Sequence, residues 1–191
     1  MPEQAAPRRH PRADALRNRE RVLTAAREAF ATEGPSVSLD EIARRAGLGP
    51  GTLHRHFPTK RALLAAVIAD SLGSLADAAA DLAGATDAGA AFFTFFDRLV
   101  DAAHDHLALA AVFTTPDEIS DAAREAGIRL TANMRVLLHR AQEDGAVRPD
   151  IDIDELHAII AGVLTIEQRL PSPASRGRGI RVIVDGLRYR G

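Results

Sequence analysis

The sequence contains no cysteine. That excludes disulfides, thiol catalysis, thiolate zinc sites and iron–sulfur clusters, and it fits a reducing compartment. No apolar run reads as reaching the roughly 18–20 residues of a membrane span. The start, Met1-Pro2-Glu3-Gln4, lacks the charged-then-apolar pattern of a secretion signal. Arg8, Arg9, Arg12, Arg17 and Arg19 make this end basic, but no apolar segment follows closely. No segment sustains the period-two alternation of a half-buried strand, and no internal repeat is seen. The expectation is a cytoplasmic, all-α protein that makes no use of a membrane.

Catalytic signatures are also missing. The chain carries no nucleophile elbow, phosphate loop, His-Glu-x-x-His pair or dinucleotide fingerprint. Neither an enzyme nor a cofactor is expected. Asp101, His104, Asp105 and His106 cluster, and Asp101 and His104 stand at chelating i, i+3 spacing. No third ligand or supporting partner is identifiable, so no metal site is assigned.

What is present is an ordinary globular composition. The 191 residues are 46% hydrophobic and 26% charged, enough for one or two compact domains. The net charge of −2 hides an asymmetry: residues 1–61 hold twelve Lys and Arg against seven Asp and Glu. A basic end on an acidic body suggests a polyanion met by one end only; the plainer alternative is uneven solvation charge.

Periodicity predicts about nine helices. Residues 1–13 are Pro- and Arg-rich and read as a disordered arm until DNA is present. Val22, Leu23, Ala26 and Phe30 share one face of a first helix, stopped by Gly34-Pro35. Ser38 followed by Glu41 is a capping-box pattern that starts a second, short helix, and Gly47 ends it. Pro50 suits the first position of a third helix, and Pro58 disfavours helical geometry at Phe57. Thr59 can cap a long fourth helix running to about Leu82. Further helices are predicted at about Asp87–His104, Leu107–Phe113, Asp117–Glu143, Asp152–Gln168 and Ser175–Arg188.

Ser38 to Phe57 therefore reads as two short helices joined by a glycine-containing turn. Leu39, Ile42, Leu48, Leu53 and Phe57 can pack inward against Leu23 and Phe30. Pro50, Thr52, His54, Arg55 and His56 are left to face outward. Such a helix fits a DNA major groove and can present donors to phosphates and base edges.

Arg19 to Val67 resembles the N-terminal domain of the tetracycline-repressor (TetR) family. The matching residues are Ala25-Ala26, Phe30, Gly34, Ile42-Ala43, Ala46-Gly47, Gly51-Thr52-Leu53, and Arg55-His56-Phe57-Pro58 with Lys60. The likeness covers about fifty residues, and apolar, glycine and basic positions agree in register. It implies three parts: a flexible basic arm (1–17), a DNA-binding helix-turn-helix domain (18–64), and a helical effector-binding and dimerisation domain (65–191). It also implies a homodimeric regulator, a repressor released from palindromic double-stranded operator DNA by a small apolar or amphipathic effector.

The resemblance implies roles as follows. Ser38 caps its helix and touches a phosphate. Thr52, His54 and His56 contact the DNA backbone, Arg55 a base edge, and Lys60, the only lysine, a phosphate. Arg8, Arg9, Arg12 and Arg17 reach an adjacent groove or remain a solvated tail. Two departures matter. His54 stands where the family usually has tyrosine. Gly49-Pro50 stands where a polar residue is common, which shifts weight onto backbone N–H groups at the helix start. The alternatives are a surface salt bridge from Arg55 to Asp40 or Glu41, and packing of His56 beside Phe57.

In the body, Ala91–Phe96 holds four of the seven phenylalanines. Aromatics on several sides of a helix read as core; by the resemblance, some would line a ligand pocket instead. The pocket candidates are Phe92, Phe96, His104, Phe113, Asn133, His139 and Glu167. The last two helices carry Leu156, Ile159, Ile160, Val163, Leu164, Ile180, Ile183, Val184 and Leu187. These residues form either the family's four-helix dimer interface or intramolecular core.

Overall fold

The computed structural model describes residues 11–105, 120–169 and 178–189. Among these residues every regular element is helical, apart from one isolated antiparallel bridge between Val147 and Arg188. The α-helices are α1 (Pro11–Glu33), α2 (Leu39–Arg45), α3 (Pro50–His56), α4 (Lys60–Ala83), α5 (Ala88–Asp105), α6 (Asp121–Glu143), α7 (Ile153–Arg169) and α8 (Arg178–Leu187). The helix predicted at Leu107–Phe113 lies outside the described residues. The chain divides into two compact units, Met1–Leu64 and Ala65–Gly191.

In the first unit, residues 11–17 of the expected arm belong to α1 and are helical. A single 3-10 turn, Gly34–Ser36, follows α1. Ser38 then caps α2: its Oγ accepts the Glu41 N–H at 3.1 Å. The other half of the anticipated box is replaced. The Glu41 carboxylate instead accepts from Arg44 (2.7 and 2.9 Å) and Arg45 (2.7 Å), and Arg45 also pairs with Glu33 at the end of α1.

The end of α2 closes as a Schellman motif. Leu48 N–H donates to the Ala43 carbonyl at 2.9 Å and Gly47 N–H to that of Arg44 at 3.1 Å. Gly47 takes φ +64°, and Arg21 of α1 donates to its carbonyl at 3.2 Å. The core beneath is Val22, Leu23, Ala26, Phe30, Ile42, Leu53, Phe57 and Leu63, all buried.

In the second unit, one apolar cluster joins residues of α4 to α8. Its centre is Leu72, Phe92, Phe95, Phe96, Leu137, Leu156 and Leu187. The Asn133 side chain donates to the Ala76 carbonyl at 2.8 Å, fixing α6 against α4. Asp152 and Glu155 form a reciprocal cap on α7: the Asp152 carboxylate accepts from Asp154 and Glu155 N–H groups, and Glu155 accepts from Asp152 N–H at 3.0 Å. Arg148 N–H donates to the Leu187 carbonyl at 2.9 Å, holding the end of α8 to the turn after α6.

The expectation of no span-length apolar segment is corrected. By length and composition alone, α4 is apolar enough to cross a membrane. The sequence hides this because nine of its 24 residues are alanine, which lack the bulk of a recognisable apolar run. Its large side chains Leu63, Val67, Leu72 and Leu75 are buried within the protein, as in the core helix of a folded domain.

Gly47→Ala forces a side chain into the left-handed region, which costs about 1–2 kcal/mol, and its Cβ would stand 2.5 Å from Arg21 Nη2. Denaturant unfolding is expected to show a correspondingly lower midpoint. The Arg44 and Arg45 guanidiniums hold the Glu41 carboxyl down at about 2, from an ordinary 4.5. A depressed carboxyl stabilises the fold above its unfolded value, and that contribution fades as pH falls from 4.5 towards 2. Glu41→Gln is expected to flatten this acid limb in a pH series of unfolding midpoints.

Candidate functional site

Helix α3 is only seven residues long, too short to persist alone in water. It is held by what flanks it and what it buries. Gly49 precedes it in extended conformation with Pro50 at its first position, and Phe57 ends it at φ −135°, the geometry required before Pro58. Leu53 is fully buried and Phe57 nearly so. With these two facing inward at i, i+4 spacing, Pro50, Gly51, His54, Arg55 and His56 are exposed and Thr52 is half-exposed.

The exposed face is partly organised. His54 Nε2 lies 3.3 Å from Asp40 Oδ1 of α2, with both side chains well exposed. The Arg55 guanidinium donates to the Gly51 carbonyl on its own helix at 3.1 Å. It is therefore His54 that meets Asp40, while Glu41 is taken up by Arg44 and Arg45. His56 stands beside Phe57 with ring centroids 6.5 Å apart, and the Arg19 guanidinium of α1 lies over the Phe57 ring, 5.3 Å from its centroid. Thr59 Oγ1 caps α4 by accepting from Ala62 N–H at 3.1 Å, and Lys60 Nζ donates to the Ser36 carbonyl at 3.3 Å. Ser38, Gly49, Pro50, Thr52, His54, Arg55, His56 and Lys60 thus all sit on α3 or at its flanking helix ends, within one unit.

The pocket candidates are not gathered in the same way. Phe92 and Phe96 are buried in the apolar cluster, 3% and 2% exposed. Asn133 is bound to the backbone of α4. His139 is on the surface, 3.3 Å from Glu143. The side chains of His104, Phe113 and Glu167 lie outside the described residues. The interface candidates divide too. Leu156, Ile160 and Leu187 are taken up by the chain's own core, and Ile183 and Val184 pack partly against it. Ile159 is half-buried, and the side chains of Val163, Leu164 and Ile180 are outside the described set.

A groove of about 640 Å³ lies elsewhere, between α6 and α7 with Leu72 of α4 at its base. Arg124, Ile128, Arg135 and His157 are among its lining. In the sequence these residues pass for surface positions. The available signal was spacing: Arg124, Ile128, Thr131 and Arg135 fall on one face of α6, mixing apolar and cationic groups. Burial pushes the half-buried His157 below its ordinary value, with Asp154 opposing that shift and Arg135 adding to it.

Comparison with known proteins matches both units. Residues 22–67 match the family described as bacterial regulatory proteins, tetR family. Residues 87–189 match the C-terminal domain of SbtR-like transcriptional regulators. The chain is 43% identical over 58 residues to the uncharacterized HTH-type transcriptional regulator TtgW of Pseudomonas putida, a match covering 30% of this chain and 43% of that protein. It is 25% identical to the HTH-type transcriptional regulator UidR of Escherichia coli over 91% of this chain and 94% of that one. A crystal structure of a TetR transcription regulatory protein from Mycobacterium vanbaalenii superposes with TM-score 0.69 at 41% identity, covering 93% of this chain and 98% of that chain.

The placement of α3 depends on Leu53. Leu53→Ala empties a fully buried site and is expected to cost about 2–5 kcal/mol, read as an earlier unfolding transition of residues 11–64 by hydrogen exchange.

Proposed function

The chain belongs to the tetR family of bacterial transcriptional regulators, and from that premise we propose that it is a homodimeric repressor that leaves a near-palindromic operator when a small effector binds. The observation that carries the DNA-binding part is the α3 surface. A two-turn helix is anchored by Leu53 and Phe57 and presents Thr52, His54, Arg55 and His56 outward.

On this reading α3 enters the major groove. Arg55 gives up its bond to the Gly51 carbonyl and spans guanine O6 and N7 with its guanidinium. Ser38, Thr52, His54, His56 and Lys60 bind phosphates, which fix register rather than sequence. The backbone N–H groups of Gly49 and Gly51 contribute where a polar side chain is absent. A two-fold dimer sets two such helices about 34–36 Å apart, one turn of DNA. Among the described residues, the exposed Val182 of α8, at 72%, and half-buried Ile159 of α7 are apolar groups available to a second copy.

The groove lined by Arg124, Arg135 and His157 is the effector site of this reading. An effector shifts the operator equilibrium only by as much as it prefers one conformation over the other. The protein acts in the cytoplasm and works by binding rather than catalysis.

Fluorescence anisotropy with duplexes from the DNA flanking its own gene tests the proposal. A saturable, sequence-specific complex at modest salt is expected; binding that is equal for all sequences overturns it. Arg55→Ala is expected to lose about 1–3 kcal/mol of discrimination at one base pair. Lys60→Ala is expected to weaken all duplexes evenly and lower the salt slope by about one.

A further inference from the structure

The second unit is acidic, with nineteen Asp and Glu against twelve Arg over residues 65–191. The groove between α6 and α7 has the opposite character. Among the described residues that line it there is no carboxylate; the charged and titratable groups there are Arg124, Arg135 and His157. The rest of the lining is mainly apolar, including Leu72, Ile128 and Leu130. Elsewhere on the unit Arg129 pairs with Asp77, Arg140 donates to the Ala85 carbonyl at 2.8 Å, and Arg148 pairs with Asp150. Among the described residues neither Arg124 nor Arg135 makes such a bond.

The two arginines are not equivalent. They are eleven residues apart on α6, about 16 Å along the helix at 1.5 Å per residue. Arg135 is the one close enough to His157 to act on it electrostatically. Thr131, one turn earlier on the same face, adds a hydroxyl. One end of an apolar trough thus gathers a guanidinium, an imidazole and a hydroxyl. Asp154, one turn before His157 on α7, acts on the imidazole from outside the lining. A guanidinium recognises a planar carboxylate through two parallel N–H donors. The volume is in the range of sites for small organic ligands.

We propose that this groove binds an amphipathic organic anion, with its carboxylate at the Arg135–Thr131–His157 end and its apolar body over Leu72, Ile128 and Leu130. The proposal deepens the reading of the groove as the effector site and rests on it. An anion supplies the charge that Arg135 lacks among the described residues. His157 is held towards its neutral form by burial, and a neutral imidazole carries one N–H donor. Arg124 stands too far along α6 to share the same carboxylate.

Isothermal titration of the full chain with decanoate, 1-naphthoate and decan-1-ol tests this. The two anions separate an aliphatic from an aromatic body, and the alcohol removes the charge. Decanoate or 1-naphthoate is expected to bind saturably and at least tenfold more tightly than decan-1-ol. Arg135→Gln, an exposed substitution, is expected to lose that preference, whereas Arg124→Gln keeps it within about threefold. Circular dichroism checks that both variants fold. Equal binding of decan-1-ol, unchanged binding in Arg135→Gln, or no saturable anion binding at millimolar concentration overturns the proposal. The same titrations with operator duplex present separate it from the effector reading. Release of DNA by decan-1-ol alone overturns the anion site while leaving an effector site of another class. Arg135-dependent anion binding with unchanged DNA affinity supports the anion site but removes the effector role.

Discussion

The turn at Gly47 is the constraint on which the rest of the DNA-facing unit depends. Two seven-residue helices cannot each hold their shape in water. Their relative position is fixed by the few bonds between them. The Schellman closure from Leu48 to Ala43 sets the exit direction of the chain, and Arg21 grips the Gly47 carbonyl from α1. Leu53 and Phe57 then bury the inner side of α3. The outward direction of His54 and Arg55 is a consequence of that burial, not a property of those residues.

Much of this unit is legible in the sequence alone. Ser38, Gly47, Pro50, Pro58 and Thr59 act through local chemistry: a cap, a left-handed glycine, a missing N–H, a pre-proline restriction. Each act is decided within about four residues, so sequence suffices. The partners of long charged side chains are not legible. Glu41 takes Arg44 and Arg45 over the Ser38 backbone, and His54 rather than Arg55 meets Asp40. Such choices depend on distances across the turn, which the sequence does not encode locally. The helical state of residues 11–17 is hidden because they carry little apolar periodicity to announce a helix.

In the second unit the limit is of another kind. Periodicity marks Leu156, Ile160 and Leu187 as the apolar sides of their helices, but not what covers them. The chain itself covers these three, while among the described residues Val182 is exposed and Ile159 half-buried. The phenylalanines likewise read as buried, and three of the four are core. Phe93 is the partial exception, edge-on to Phe92 with the Arg188 guanidinium 4.2 Å from its ring centroid. The groove is invisible in the sequence because its cations are surface residues whose meaning comes only from α7 lying alongside α6.

The two units divide the work by charge. A basic head, anchored from beneath by apolar residues, presents donors to a polyanion. Within the acidic body, the groove between α6 and α7 is lined by two arginines that make no ion pair among the described residues. The central claim is that α3 reads the major groove. Dimethyl sulfate protection of DNA flanking the gene tests it most directly, because the reagent attacks guanine N7 in that groove. The account predicts protected guanine N7 atoms in two clusters about one helical turn apart. Uniform reactivity at guanine N7, with protection only at adenine N3 in the minor groove, would contradict it.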